Sequence, residues 1–106
     1  MYGLAVLFTL RAGHEPAFDQ LVAETLPSIK EREPGTLVYA VHRVEGGGPE
    51  ARVFYELYED RAAFEEHERQ PHVRRFLAER EQHTVAVRVD RLSFVAGKGV
   101  PAVDQP

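Results

Sequence analysis

From Glu56 to His72 the chain reads Glu-Leu-Tyr-Glu-Asp-Arg-Ala-Ala-Phe-Glu-Glu-His-Glu-Arg-Gln-Pro-His. Ala63, Phe64 and His67 share one face of a helix that Asp60 is suited to cap. A neutral imidazole on such a face can take a proton near neutral pH, so His67 is a candidate base or orienting group for an acidic hydroxyl. It can equally be a buried histidine bonded to a carbonyl or carboxylate. Glu56 and Tyr58 point to the same side of one strand. A carboxylate there can orient His67 or be raised in pKa by desolvation; the alternative is an ion pair with an arginine. Tyr39 and Tyr58 can donate hydrogen bonds to a developing oxyanion, or stand as core rings with satisfied hydroxyls.

His72 follows Pro71 and is a candidate ligand-binding group, or simply an exposed or capping residue at a helix start. His42 lies at the parity opposite Tyr39 and points away from it. Five histidines raise the question of a metal, yet His67 and His72 stand five apart across a proline and no acidic motif completes a ligand set. No metal site is expected. Ser28 and Ser93 have no nucleophile-elbow context. Gly46-Gly47-Gly48 lacks phosphate-loop spacing and reads as a hairpin tip.

These groups need elements to carry them. Residues 2–10 are apolar at nearly every position, as in a strand buried on both faces. Pro16 opens a helix whose stripe is Phe18, Leu21, Val22, Leu26 and Ile29. Pro27 interrupts that stripe, predicting a kink or an early end near Leu26. Residues 36–44 and 51–58 form two strands of a hairpin. A helix from Asp60 to Gln70 is broken by Pro71, and a second piece carries Val73, Phe76 and Leu77. Residues 84–96 form the last strand. Its apolar parity changes from Val85, Val87 and Val89 to Leu92 and Phe94, predicting a bulge or a change of packing partner near Asp90-Arg91.

The order β-α-β-β-α-β is that of an α+β, ferredoxin-like split βαβ domain over residues 1–96 with an antiparallel sheet. Residues 97–106 read as a mobile tail. Helices cover one sheet face only, and strands apolar on both faces imply a second subunit over the other. A 106-residue chain with 43% hydrophobic and 28% charged residues fits one globular domain of modest core. The net charge of -4 leaves no basic excess for nucleic acid or anionic membranes. With no cysteine, disulfides, thiolate catalysis and Cys-ligated metals are excluded. No leader or membrane-spanning run is visible, so a cytoplasmic protein is the expectation.

Arg11-Ala12-Gly13, Glu33-Pro34-Gly35-Thr36-Leu37-Val38-Tyr39, Glu56-x-Tyr58 and Ala63-Phe64-x-x-His67-x-x-x-Pro71-His72 occur in an order that resembles the antibiotic biosynthesis monooxygenase family of the dimeric α/β-barrel superfamily. Within it the chain is most similar to small quinol-monooxygenase-like members and to relatives acting on autoinducer-2. The resemblance implies a homodimer whose sheets close into a barrel, each subunit holding a pocket between sheet and helices. It also implies no cofactor: an electron-rich substrate is deprotonated and itself reduces dioxygen. Haem-degrading relatives carry an aromatic residue where His67 stands, and their ligating histidine falls about at Leu77. Haem breakdown is therefore not expected. With no tryptophan, the aromatic wall falls to Tyr39, Phe54, Tyr58 and Phe64.

The expected function is a cofactor-independent monooxygenase acting on a small quinol or enediol with dioxygen. His67, Glu56 and Tyr58 are its expected catalytic residues, and Tyr39, Phe54, Phe64 and His72 its substrate-binding residues. The same groups would serve an isomerase or degradative enzyme for a small hydroxy-carbonyl compound, or a non-catalytic dimeric ligand-binding protein.

Overall fold

A computed structural model describes residues 1–100. Strands β1 (Tyr2–Leu10), β2 (Thr36–Arg43), β3 (Ala51–Tyr58) and β4 (Thr84–Ser93) form one sheet in the order β2-β3-β1-β4. Every pairing is antiparallel. Helices α1 (Glu15–Arg32), α2 (Arg61–Arg69) and α3 (Pro71–Glu79) lie in the ferredoxin-like order, and a single 3-10 turn, Arg80–His83, leads into β4. The last strand stops at Ser93, three residues short of the expectation. Of the tail expected over 97–106, residues 101–106 lie outside the described residues.

The core joins alternate residues of β1 (Leu4, Val6, Phe8 and Leu10) to Phe54 and Tyr58 of β3, and to Phe18, Leu21, Val22, Phe64 and Phe76 of the helices. Burial of these side chains, each contributing roughly 1.5–3 kcal/mol, presses the helices onto one sheet face. At the far end, the buried Arg52 of β3 grips Asp19 of α1 through Nε and Nη2 at 2.9 and 3.0 Å. The other sheet face is uncovered within the chain. Leu7, Tyr55 and Leu92 each leave more than a third of their surface exposed, so within the chain only the helix-side face of β1 is covered.

For two sequence expectations the structure excludes one of the alternatives: α1 does not end near Leu26, and no bulge occurs at Asp90-Arg91. α1 runs unbroken through Pro27. Pro27 and Ala23, whose carbonyl the ring deprives of its partner, both lie on the exposed side. Water can satisfy that carbonyl while Phe18, Leu21, Val22 and Ile29 hold the opposite face to the core. No bulge occurs at Asp90-Arg91, where the β1·β4 register is continuous. The parity changes because Val87 and Val89 pair with Phe8 and Val6 on the helix side, whereas Leu92 pairs with Gly3 on the open side. The irregularities lie instead between Thr9 and Leu10 and between Thr36 and Val38.

The second of these shapes the site. Thr36 pairs with Tyr58 and Tyr39 with Glu56. Residues three apart in a regular strand point to opposite faces. One extra residue at Leu37 brings both Thr36 and Tyr39 to the helix side.

Candidate functional site

The polar groups gather where α1 ends, β2 begins, β3 ends and α2 gives way to α3. The Asp60 side chain caps α2 by accepting from the Ala63 amide at 2.8 Å, which sets the helix phase. Phe64 and His67 are the buried residues of that helix. Gln70 adopts the extended conformation that a following proline demands, and Pro71 restarts the chain as the first residue of α3.

His67 is 5% exposed and lies between two carboxylates. Its Nδ1 is 2.5 Å from Glu33 Oε1, and its Nε2 is 4.0 Å from Glu56 Oε1. Glu33, just past the end of α1, is itself buried. Its second oxygen meets His72 Nε2 at 2.5 Å, and Thr36 Oγ1 donates to the first at 2.8 Å. Burial alone pushes the Glu33 carboxyl up. The hydrogen bonds from His67, His72 and Thr36, together with the His67 charge, outweigh that and hold it below its ordinary value. An ionised Glu33 accepts Nδ1–H from His67, which leaves the Nε2 lone pair facing away from it, toward Glu56.

Glu56 has the opposite electrostatics. Burial raises its carboxyl above the ordinary value, against the Tyr58 hydroxyl and the His67 charge, which pull it down. The Tyr58 hydroxyl donates to Glu56 Oε1. Desolvation, then the Glu56 charge, push the Tyr39 and Tyr58 phenols far up. Both stay protonated and serve as donors, never as bases. The Tyr39 and Tyr58 rings lie 5.6 and 5.2 Å from the imidazole.

A cavity of about 510 Å³ opens in front of this cluster, within the ordinary range for small ligands. Its wall includes Tyr39, Phe54, Glu56, Phe64 and His67, with Leu4, Val6, Phe8, Val87 and Val89 from the sheet. Five of the seven residues expected from sequence therefore share one cavity. The other two do not reach it. Tyr58 is fully buried, and its hydroxyl is taken up by Glu56. His72 turns toward Glu33 and is neither exposed nor at the cavity wall. Leu77 lines the cavity as an apolar residue.

Glu33 is the residue that sequence reasoning missed as a functional group. It stands there only as the first residue of the Glu33-Pro34-Gly35 motif, with no role of its own. Its only local signal is a carboxylate immediately beyond a helix that ends in Lys30 and Arg32. Among the described residues, no group of three or more His, Cys, Asp or Glu side chains is disposed to hold a metal ion. His42 is exposed and lies by Asp19, Arg43 and Arg52, in a shallow surface depression away from His67.

Over residues 1–79, from β1 to the end of α3, the sequence matches the family described as antibiotic biosynthesis monooxygenase. The chain belongs to that family. No curated protein matches the sequence. Among solved structures, a Pseudomonas aeruginosa protein is 27% identical with a TM-score of 0.78, the match covering 90% of this chain and 94% of that one. A Caulobacter crescentus protein bearing the family's designation superposes with a TM-score of 0.84 at 20% identity, covering 90% of each chain. A Mycobacterium tuberculosis protein gives 0.82 at 22%, covering 91% of this chain and 96% of that one. At these lower identities the likeness is one of fold. The matched region contains Glu33, Glu56, His67 and His72, so the cluster lies within the family domain and not in an appended segment.

Proposed function

We propose that this member of the antibiotic biosynthesis monooxygenase family is a cofactor-independent monooxygenase acting on a small quinol or enediol. The observation that carries this is the orientation of His67. Its Nδ1 is committed to a buried, ionised Glu33, and its Nε2 faces an aromatic cavity beside Glu56. The substrate hydroxyl sits at the position that Nε2 and Glu56 flank and gives its proton to Nε2. The imidazolium is balanced by Glu33, as in other base–carboxylate pairs. Tyr39, held as a donor, faces the resulting oxyanion.

The electron-rich anion passes one electron to dioxygen, and the two radicals combine into a hydroperoxide at the ring or enediol carbon. Loss of water leaves one oxygen on the product and sends the other into water. For hydroquinone the sum is quinol plus dioxygen giving hydroxyquinone plus water. The substrate supplies all four electrons.

The active unit is a homodimer. Leu7, Tyr55 and Leu92 form an apolar open face that sheet-on-sheet packing would cover, as the family resemblance implies.

Consumption of dioxygen with a quinol panel, with labelled dioxygen placing one atom in the product and one in water, tests this reading. A specific observation favours a second one. Glu56, raised toward its protonated form, and the Nε2 base lie 4.0 Å apart, so Nε2 can take the proton from the carbon beside a carbonyl while Glu56 protonates the carbonyl oxygen, and the enediol so formed can take a proton back at the other carbon without dioxygen. Isomerisation under nitrogen, with no uptake in air, would select it.

A further inference from the structure

Arg80 begins the 3-10 turn after α3 and contributes to the wall of the same cavity, away from His67 along an aromatic floor. Its guanidinium carbon sits over the Phe8 ring, 5.7 Å from the centroid. Phe8 contacts Phe54 at 4.9 Å, and Phe54 contacts Tyr39 at 5.7 Å. Nη1 donates to Thr84 Oγ1 at 3.3 Å, and that hydroxyl donates back to the Arg80 carbonyl at 3.1 Å. The turn and the side chain therefore hold each other in place.

The rest of the guanidinium is uncommitted. Nε is buried without a hydrogen-bond partner, the one such side-chain atom among the described residues. No carboxylate lies within ion-pairing distance of Arg80 among those residues, although six other arginines (Arg43, Arg52, Arg61, Arg69, Arg75 and Arg88) pair with one. A buried donor on a fixed charge is costly to leave unpaired. With Nη1 spent on Thr84 and Nε closed off from the cavity, Nη2 is the donor left to meet a carboxylate oxygen.

We propose that Arg80 is a substrate-anchoring residue and that the preferred substrate is a quinol or enediol bearing a carboxylate. The carboxylate meets Nη2 of Arg80, the apolar ring lies over Phe8 and Phe54, and the reacting hydroxyl reaches the Nε2 of His67. The substrate-class statement rests on the monooxygenase reading; the anchoring role of Arg80 does not. Arg91 is the other cation on the cavity wall, but it is exposed and spent on the Tyr2 hydroxyl and the Phe64 ring.

Titration calorimetry on the full-length protein with hydroquinone, gentisate (the same ring plus a carboxylate) and benzoate tests this without relying on turnover. Gentisate is expected to bind at least about tenfold more tightly than hydroquinone, and benzoate to bind measurably. Arg80→Met should erase the gentisate preference over hydroquinone, with folding verified by circular dichroism. Arg80→Lys should restore only part of the preference, because it keeps the charge on a flexible stem without the fixed, planar donor. Equal affinities in the unmodified protein, no benzoate binding, or a preference that survives Arg80→Met and disappears with Arg91→Met would overturn the proposal. Arg80-dependent benzoate binding in a protein that oxidises no quinol retains the anchor and sinks the monooxygenase reading. Quinol oxidation without a carboxylate preference does the reverse.

Discussion

Glu33 and His67, separated by 34 positions, meet at 2.5 Å inside the protein. The carboxylate stands just past the end of one helix and the imidazole on the inner face of another. Neither is explained by its own element. Together they convert a buried histidine, which is usually inert, into an oriented one with a free nitrogen at a cavity.

His67→Ala should lower turnover by about two to four orders of magnitude. Little apolar packing is lost, so folding should persist. Steady-state rates across pH check this, and near-native turnover would reduce His67 to a structural role.

Glu33→Gln keeps the shape but loses the charge that fixes the tautomer and balances the imidazolium. Turnover should fall about a hundredfold or more. Stability should fall in a pH-dependent way. The folded Glu33 carboxyl lies below its unfolded value, so its contribution is present above the ordinary carboxylate range and is lost as pH falls through the folded value. Urea unfolding should therefore show a deficit at neutral pH that closes in acid. A deficit constant with pH would contradict the sign.

Glu56→Gln should behave in the opposite sense. Burial raises this carboxyl in the folded state, so folding disfavours its ionised form. The penalty is absent below the ordinary range and grows as pH rises through the folded value. The amide, still able to accept from Tyr58, should raise stability at neutral pH by about 1 kcal/mol while activity falls. The same pH series of urea unfolding decides it, and a destabilised Gln variant at neutral pH would refute it.

Gly35→Ala should damage the site from a distance. A Cβ at this position would lie 2.7 Å from that of Ala63, and the Gly35 carbonyl accepts from the Glu59 amide at 2.9 Å. Pushing the start of α2 outward separates His67 from Glu33. We expect a loss of about 1–3 kcal/mol and a matching drop in turnover, read by thermal melting and kinetics together. An unchanged melting curve would show that α2 can yield.

Leu7→Arg or Tyr55→Glu, each placing a charge on the open sheet face, should convert the proposed dimer to a monomer by light scattering. A protein that is monomeric before substitution at micromolar concentration would remove the dimer from the proposal.

Much of this was legible in the chain. Strand and helix order, the Asp60 cap, the Pro71 restart and the shared face of Ala63, Phe64 and His67 all follow from periodicity and backbone chemistry, which are local. So does the common side of Glu56 and Tyr58. What those residues meet is not local. The partner of His67 is a turn glutamate whose burial exists only once α1 and α2 have packed. The inward turn of His72 depends on that same carboxylate. The bulge at Leu37, which aims Thr36 and Tyr39 at one face, follows from pairing with β3 and leaves no mark in the alternation. Pro27 looked like a stop because propensity is read without a core. In the fold, four buried side chains hold α1 against the sheet while its unpaired carbonyl faces water. The unpartnered Nε of Arg80 is likewise decided by what surrounds it. Residue types and periodicity determined which groups could do chemistry and which face they occupy. Long-range packing alone decided which are buried together, because desolvation and hydrogen-bond partners are properties of the assembled interior.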